Sequence, residues 1–381
     1  MTPFALSDAS VLTPTGPMPH LAVLVRDERI EAIVPDTAVP AEYRRESLQG
    51  GLLVPGFIDV QVNGGGGVLL NDVPSREGMA AIARAHLKFG STGIMPTLIS
   101  DDLAIVAKAL DAADAAVGGN DPGILGIHVE GPFLNAGKRG IHNAEKFRKL
   151  DEDALALLTK PGLARRMVTL APELAPPGAI ARLTRAGVIV CAGHSLATYD
   201  QTKAALADGL AGFTHLFNAM TQLEAREPGM VGAALEDRNS FFGLIVDGIH
   251  VHPATLRLAL AAGDARRAML VTDAMPTVGS SNSTFRLGQV EIHADGDACR
   301  SDDGTLAGSN LDMATAFRNA MTLLGVSVAT ASAMASQNPA RFLGLPGDAG
   351  SISPGVKADL VHLDDALAVQ HVWQSGIPVS P

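Results

Sequence analysis

The middle of the chain carries short apolar runs, each cut off by a polar or glycine-rich stretch. They are Phe57–Gln61, Gly93–Thr97, Ile124–Glu130, Met167–Leu170, Val188–Cys191, Leu210–Phe213, Phe242–Val246 and Ala268–Val271. Most are continuous rather than alternating, which fits parallel strands buried on both faces. Between them the spacing turns helical, over Arg76–Phe89, Leu103–Val117, Ala179–Ala186 and Tyr199–Asp208. A further helix starts at Pro253, suited to a first turn, and stops at Gly263. Eight strands alternating with helices is the count of an α/β fold of the (β/α)₈ TIM-type barrel. The two ends of the chain read differently. Leu21–Val25 and Arg29–Val34 flank the polar Arg26-Asp27-Glu28 as the arms of a hairpin would, and Ala358–Leu363 and Val369–Gly376 follow the turn signal Ser353-Pro354-Gly355. Strand-rich ends of one chain can meet. The expectation is a small β-sandwich domain built from residues 1–51 and 346–381, with the barrel over 52–345.

In such a barrel the active site lies at the C-terminal strand ends, and four of the runs end in reactive side chains. The third delivers His128 and Glu130 just before Gly131-Pro132; the fifth leads into Gly193-His194-Ser195, the sixth into Thr214-His215 and the eighth into Thr272-Asp273. A carboxylate at the end of a buried strand is costly unless a cation or several donors meet it. One such ending, or one histidine, is equally well explained by a satisfied core residue. Four that converge make a site. One carboxylate with two imidazoles is a common catalytic zinc set that leaves a coordination position open. A metal held there would acidify water and polarise a carbonyl, so hydrolysis of an acyl bond is its natural use. Asp273, beside the metal rather than on it, would suit general acid/base work.

Composition narrows the partners. The 381 residues are 47% hydrophobic and 18% charged, enough for a large core, while 4% aromatics with 40 Gly and 23 Pro suit many short strands and turns. A net charge of −11 and the lack of a Lys/Arg-rich block argue against a nucleic-acid surface. An anionic substrate would have to be met by local cations. Cys191 and Cys299 form no disulfide framework, and Cys191 sits in an apolar run as a small buried residue. The first residues have neither a basic nor an apolar leader region, and no apolar run is long enough to span a membrane. A soluble, cytoplasmic protein is expected.

The motifs PGFIDVQVNGGGG (55–67), HVEGPFLN (128–135), GIHN (140–143), GHS (193–195), HLFNAM (215–220), REPG (226–229), DGIHV (247–251), VTDAM (271–275) and GTLAGSNLDM (304–313) follow one another in this order. Together they resemble the N-acetylglucosamine-6-phosphate deacetylase family of the metal-dependent amidohydrolase superfamily. The likeness runs from PGFID to the SPGVKADLV segment (353–361). GHS or PGFID alone is shared across the superfamily, whereas HLFNAM, REPG and DGIHV in sequence are specific to the deacetylases. The resemblance implies conversion of N-acetylglucosamine 6-phosphate to glucosamine 6-phosphate and acetate, in amino-sugar catabolism and cell-wall recycling. It also implies a homodimer and one divalent metal per chain, zinc foremost, although iron, cobalt and manganese suit the same donors. Glu130, His194 and His215 would be the metal ligands. Asp273 would activate water and then protonate the leaving amine, and His250 would orient and polarise the acetyl carbonyl. Gln61, Ile141, His142, Asn218, Arg226, Asp247 and the backbone at Ala219 and Leu306-Ala307-Gly308 would hold sugar and phosphate. An arginine suits a bidentate phosphate contact, though Arg226 and Glu227 could also be a solvated charge pair.

One departure bears on the metal count. Many superfamily members end the first strand in His-x-His; here Gln61-Val62-Asn63 stands instead. Neutral amides are poor substitutes for imidazole on a transition metal, so the resemblance is to a one-metal branch in which Gln61 would contact the attacking water. His128, two residues before Glu130 and on the same strand face, reads as a support behind the ligands or as core filler. Two other functions fit the same residues less well. An amidohydrolase for another N-acyl sugar or an N-acyl amino acid would not need Arg226 in the HLFNAM context. A non-catalytic binding scaffold would be expected to have lost a ligand or Asp273.

Overall fold

The computed structural model describes residues 2–379. The eight runs are eight strands: Phe57–Val62, Ser91–Ile99, Gly126–Glu130, Arg165–Leu170, Ile189–Ala192, Gly212–Phe213, Phe241–Leu244 and Ala268–Leu270. They pair side by side in chain order, all parallel. A parallel bridge between Val62 and Ala274 brings the eighth strand back to the first, with the Asp273 amide donating to Gln61 O at 2.9 Å and the Asn63 amide to Ala274 O at 2.9 Å. The barrel closes beside Asp273.

The local chemistry explains the elements between. Ser75 starts the helix Arg76–Leu87 by accepting from the Gly78 amide, and Thr198 with Gln201 forms a reciprocal cap on Tyr199–Ala207. Pro253 opens the helix that ends at Gly263. These helices and the outer faces of the strands share one apolar core, in which Phe57, Phe213, Phe242 and Phe317 are almost fully buried. Cys191 and Cys299 are both free and buried.

Strands from the two chain ends share one eight-stranded sheet. Gly16–Arg26 and Arg29–Pro35 form the expected hairpin. Leu52–Pro55 pairs antiparallel with Leu360–Leu363 and so ties the N-terminal strands to the C-terminal ones. This sheet has its own apolar cluster, with Leu6, Val23, Leu360 and Trp373 inside it.

Other elements were not anticipated. The helices Glu152–Leu158, Gly229–Glu236 and Met313–Leu324 complete the outer layer. A four-stranded antiparallel sheet, Thr284–Leu287, Val290–Asp295, Ala298–Ser301 and Leu306–Ser309, is inserted after the eighth barrel strand. Its last strand returns to the barrel through an Ala274–Ser309 bridge, which lays Leu306 and Gly308 over the barrel mouth.

Candidate active site

Glu130, His194 and His215 meet at the C-terminal ends of the third, fifth and sixth strands. Glu130 Oε1 lies 3.1 Å from His194 Nε2 and 3.0 Å from His215 Nε2, and the two ring nitrogens are 3.1 Å apart. All three residues are buried. A tetrahedral ion with bonds of about 2.0–2.1 Å holds its ligand atoms about 3.3 Å from one another, so the three atoms are spaced to share one ion. The His194 ring is oriented for that task, because Nδ1–H donates to Lys138 O at 2.8 Å and turns Nε2 toward the cluster. Burial opposes charge on Glu130, yet the hydrogen bonds from His194 and His215 hold its carboxyl well below the usual range. Burial likewise opposes a charged His215, but the bond to Glu130 raises it overall. The donor set is compatible with a metal site.

Asp273 stands beside this cluster without joining it. Its Oδ1 accepts from Asn63 Nδ2 at 2.7 Å and from Gln61 Nε2 at 3.1 Å, and the same Gln61 nitrogen reaches Glu130 Oε2 at 3.2 Å. Gln61 therefore bridges Asp273 and Glu130. Burial, reinforced by the charge of Glu130, raises the Asp273 pKa. A carboxylate in this position can hold a proton between two steps of one reaction. Asn63 Oδ1 is buried without a partner on the cavity wall.

The backbone at these strand ends is unusual. His194, His215 and Asp273 have φ values of 49°, 31° and 53°, and Phe217 and Ala219 are also left-handed. Such conformations cost about 1–3 kcal/mol each and persist only where the surroundings over-determine them. The sequence offers no sign of them, since none of these residues is glycine.

His250 Nδ1 lies 2.5 Å from Asp247 Oδ2, while Asp247 Oδ1 accepts from the amides of Ile249 and His250. Burial raises the Asp247 pKa, but its bond with His250 outweighs this and holds the carboxylate low. With Nδ1 so occupied, His250 has Nε2 left to offer. His142 Nδ1 is 2.8 Å from Ser100 Oγ and its ring lies 4.5 Å from that of His194; burial, then His194, pushes it down to about 3 and keeps it neutral. His128 sits behind the cluster between Thr169 Oγ1 at 2.7 Å and Thr97 Oγ1 at 3.2 Å, held neutral by burial at about 4.

These groups line a cavity of about 450 Å³. Ile141, His142, Asn218, Ala219, His250, Asp273, Leu306 and Gly308 face it, as do Glu130, His194 and His215. Four residues expected at the substrate do not line it. Gln61 is buried behind Asp273 and Glu130. Asp247 is spent on His250. Ala307 turns the other way, by strand alternation, into the apolar cluster of Met275, Ile292 and Cys299. Arg226 is exposed and does not line the cavity, whereas Lys138 and Arg139 do.

Two carboxylates had not been singled out. Asp59, fully buried in the first strand, accepts from Thr272 Oγ1 at 2.5 Å and from the Gln61 amide at 3.1 Å, and burial raises it to about 7. Glu173, after the fourth strand, accepts from Ser195 Oγ, the Leu196 amide and Asn135 Nδ2. A charged residue inside an apolar run was the available signal for Asp59.

Residues 52–379 match the Amidohydrolase family. An N-acetylgalactosamine-6-phosphate deacetylase of Shewanella sp. (strain ANA-3) is 41% identical over 372 residues, 97% of this chain and 94% of that protein. An N-acetylglucosamine-6-phosphate deacetylase of Bos taurus is 42% identical over 342 residues, 86% of this chain and 83% of that protein. Among solved structures, N-acetylglucosamine-6-phosphate deacetylase from Pasteurella multocida superposes with a TM-score of 0.95 at 30% identity, covering both chains fully. A Mycobacterium smegmatis enzyme of that name, an aspartate-to-alanine variant in complex with N-acetyl-D-glucosamine-6-phosphate, gives 0.90 at 35% identity, again over both full chains.

Proposed function

The chain belongs to the amidohydrolase family, and we propose that it hydrolyses the acetamide of N-acetylglucosamine 6-phosphate, yielding glucosamine 6-phosphate and acetate. The observation that carries this reading is the meeting, in one cavity, of a Glu/His₂ cluster, an adjacent unligated Asp273 and an Asp247-held His250. A divalent ion held by Glu130, His194 and His215, zinc foremost, would supply an acidified water and a polarised acetyl carbonyl. Asp273 takes the proton of the attacking water and later returns it to the departing amine, so no proton is gained or lost. Asn63 and Gln61 hold Asp273 in place meanwhile. His250, its Nδ1 held by Asp247, presents Nε2 to the acetyl group. Lys138 and Arg139 are the cations on the cavity wall, and they supply the charge that a 6-phosphate needs.

A second substrate has specific support, since relatives of comparable identity are named N-acetylgalactosamine-6-phosphate deacetylases. Acetate release measured on both 6-phosphates, on unphosphorylated N-acetylglucosamine and on an N-acetyl amino acid separates the readings. We expect N-acetylglucosamine 6-phosphate to give the highest kcat/KM. A faster galactosamine epimer would reassign the sugar, and a faster N-acetyl amino acid would remove the sugar-phosphate reading altogether. We also propose one tightly held metal per chain, supported by Gln61 and Asn63 where a second site would need imidazoles. Elemental analysis of active protein should give one divalent ion per chain, lost in His194→Ala and His215→Ala; two ions per active chain would refute it. A phosphorylated sugar does not cross membranes unaided, so the reading places the enzyme in the cytoplasm. A homodimer is the assembly that the resemblance implies, to be checked by sedimentation.

A further inference from the structure

His194 is the ligand whose backbone most needs explaining. It has φ of 49° and no glycine's freedom, yet its ring must hold Nε2 within about 3 Å of two other ligand atoms. Its own carbonyl accepts from the Asn135 amide at 2.9 Å, and its Nδ1 donates to Lys138 O at 2.8 Å. The short turn Asn135–Lys138 thus grips His194 at main chain and ring together. That turn is closed by the Lys138 amide on Asn135 O and by the Gly137 amide on Asn135 Oδ1.

Glu173 holds both sides of this grip. Its Oε1 accepts from Asn135 Nδ2 at 2.9 Å, on the turn, and from the Leu196 amide at 2.7 Å, two residues past the ligand. Its Oε2 accepts from Ser195 Oγ at 2.6 Å, and that hydroxyl in turn accepts from the Ala197 amide at 2.9 Å. One carboxylate therefore ties the end of the fourth strand to the segment carrying His194 and to the turn that orients its ring. A strained residue stays where it is only if such contacts fix it on several sides, and groups that fix a metal-ligating imidazole set the metal affinity.

We propose that Glu173 is a positioning residue that sets the metal affinity of the site by holding His194 in its left-handed conformation against the Asn135–Lys138 turn. Glu173 touches neither the ligand atoms nor the cavity. Removing it frees three donors at once and lets the segment 194–196 relax toward ordinary backbone angles, moving Nε2 off the position shared with Glu130 and His215. The proposal rests on the metal reading of that cluster.

The test is zinc affinity, measured by competition with a chromophoric chelator on purified metal-free protein, for wild type, Glu173→Gln, Glu173→Ala and Asn135→Ala. Loss of an outer support of a metal-bound histidine typically costs about 10- to 100-fold in affinity. That loss is expected for Glu173→Ala and Asn135→Ala, with a smaller one for Glu173→Gln, which keeps one acceptor oxygen. The kcat at saturating zinc should stay within about threefold of wild type, because the occupied site is rebuilt around the ion. Combining Glu173→Gln with Asn135→Ala should cost less than the sum of the two, since both act through one turn. If Glu173→Ala does not fold, the Gln and Asn135 variants carry the same comparison. Unchanged zinc affinity in folded variants would overturn the proposal, as would a loss of kcat at saturating zinc with affinity intact. A wild-type protein that binds no zinc would instead refute the metal reading beneath it.

Discussion

At the scale of single residues the site is a set of carboxylates given different tasks by their surroundings. Glu130 is held charged by two imidazoles, Asp273 is raised by burial beside it, and Asp59 is raised to about 7 by complete burial. Asp273→Asn keeps size and can still meet Gln61 or Asn63, but it cannot take a proton. Its kcat should fall by at least about 10²–10⁴, with metal content and fold intact; near-normal turnover would remove Asp273 from the mechanism. Asp59 makes a separate prediction about stability. A carboxyl whose folded pKa lies above its unfolded value of 3.8 stabilises the fold fully below pH 4, and that contribution is lost as pH rises to about 7. Thermal melts of metal-free Asp59→Asn against wild type should therefore show the variant gaining relative stability between pH 4 and 7, by up to roughly 4 kcal/mol. A pH-independent difference would mean that Asp59 does not titrate in this range. Glu130, His194, His215 and Asp273 were legible because each ends an apolar run, where a polar group needs a reason. The left-handed backbones of His194, His215 and Asp273 were not legible, since contacts that fix them come from segments distant in the chain, such as Asn135 for His194 and Gln61 and Ser309 for Asp273.

Among the elements, the barrel strands could be read from the sequence because burial on both faces leaves continuous apolar runs. Their limits moved by only a residue or two, as at the Ser91–Ile99 strand, expected over Gly93–Thr97. The inserted sheet escaped because its strands are short and mix polar with apolar residues, and its first two are largely exposed, with Ile292 their one buried position. Its contribution to the site is made by backbone. Gly308 has φ of 65°, and a Cβ there would stand 2.7 Å from Asp273 O and 2.8 Å from Met275 Cε. Ser309 N meanwhile donates to that same Asp273 carbonyl at 2.9 Å. Gly308→Ala should push the Asp273 backbone and lower kcat by about tenfold or more, the equivalent of about 1–2 kcal/mol of strain carried into the transition state. Gly288→Ala is the matched control, for it too has a left-handed φ, at 60°, but meets nothing within 4 Å. It should leave kcat unchanged. Equal behaviour of the two variants would mean that the insert does not set the position of Asp273.

At the scale of the whole molecule the difficulty is charge. The protein carries −11, so its overall field disfavours a sugar phosphate and binding must come from cations placed within a few ångströms. The sequence pointed to Arg226 for this, on its motif alone. In the fold that residue is exposed and outside the cavity, while Lys138 and Arg139 sit on the wall, on the same turn that orients His194. A charge-assisted hydrogen bond is worth roughly 1.5–3 kcal/mol. Lys138→Ala and Arg139→Ala should therefore each lower kcat/KM for N-acetylglucosamine 6-phosphate by about tenfold to a few hundredfold. The Lys138 carbonyl that holds His194 survives the change, so the slow reaction with unphosphorylated N-acetylglucosamine should hardly alter. Arg226→Ala belongs in the same experiment. Within its own chain it should cost little on either substrate; a loss confined to the phosphorylated one would mean that a second copy of the chain brings Arg226 over the cavity, and sedimentation of the protein would then have to show a dimer. Losses of equal size on both substrates for Lys138→Ala and Arg139→Ala would show that these cations support the wall rather than the phosphate.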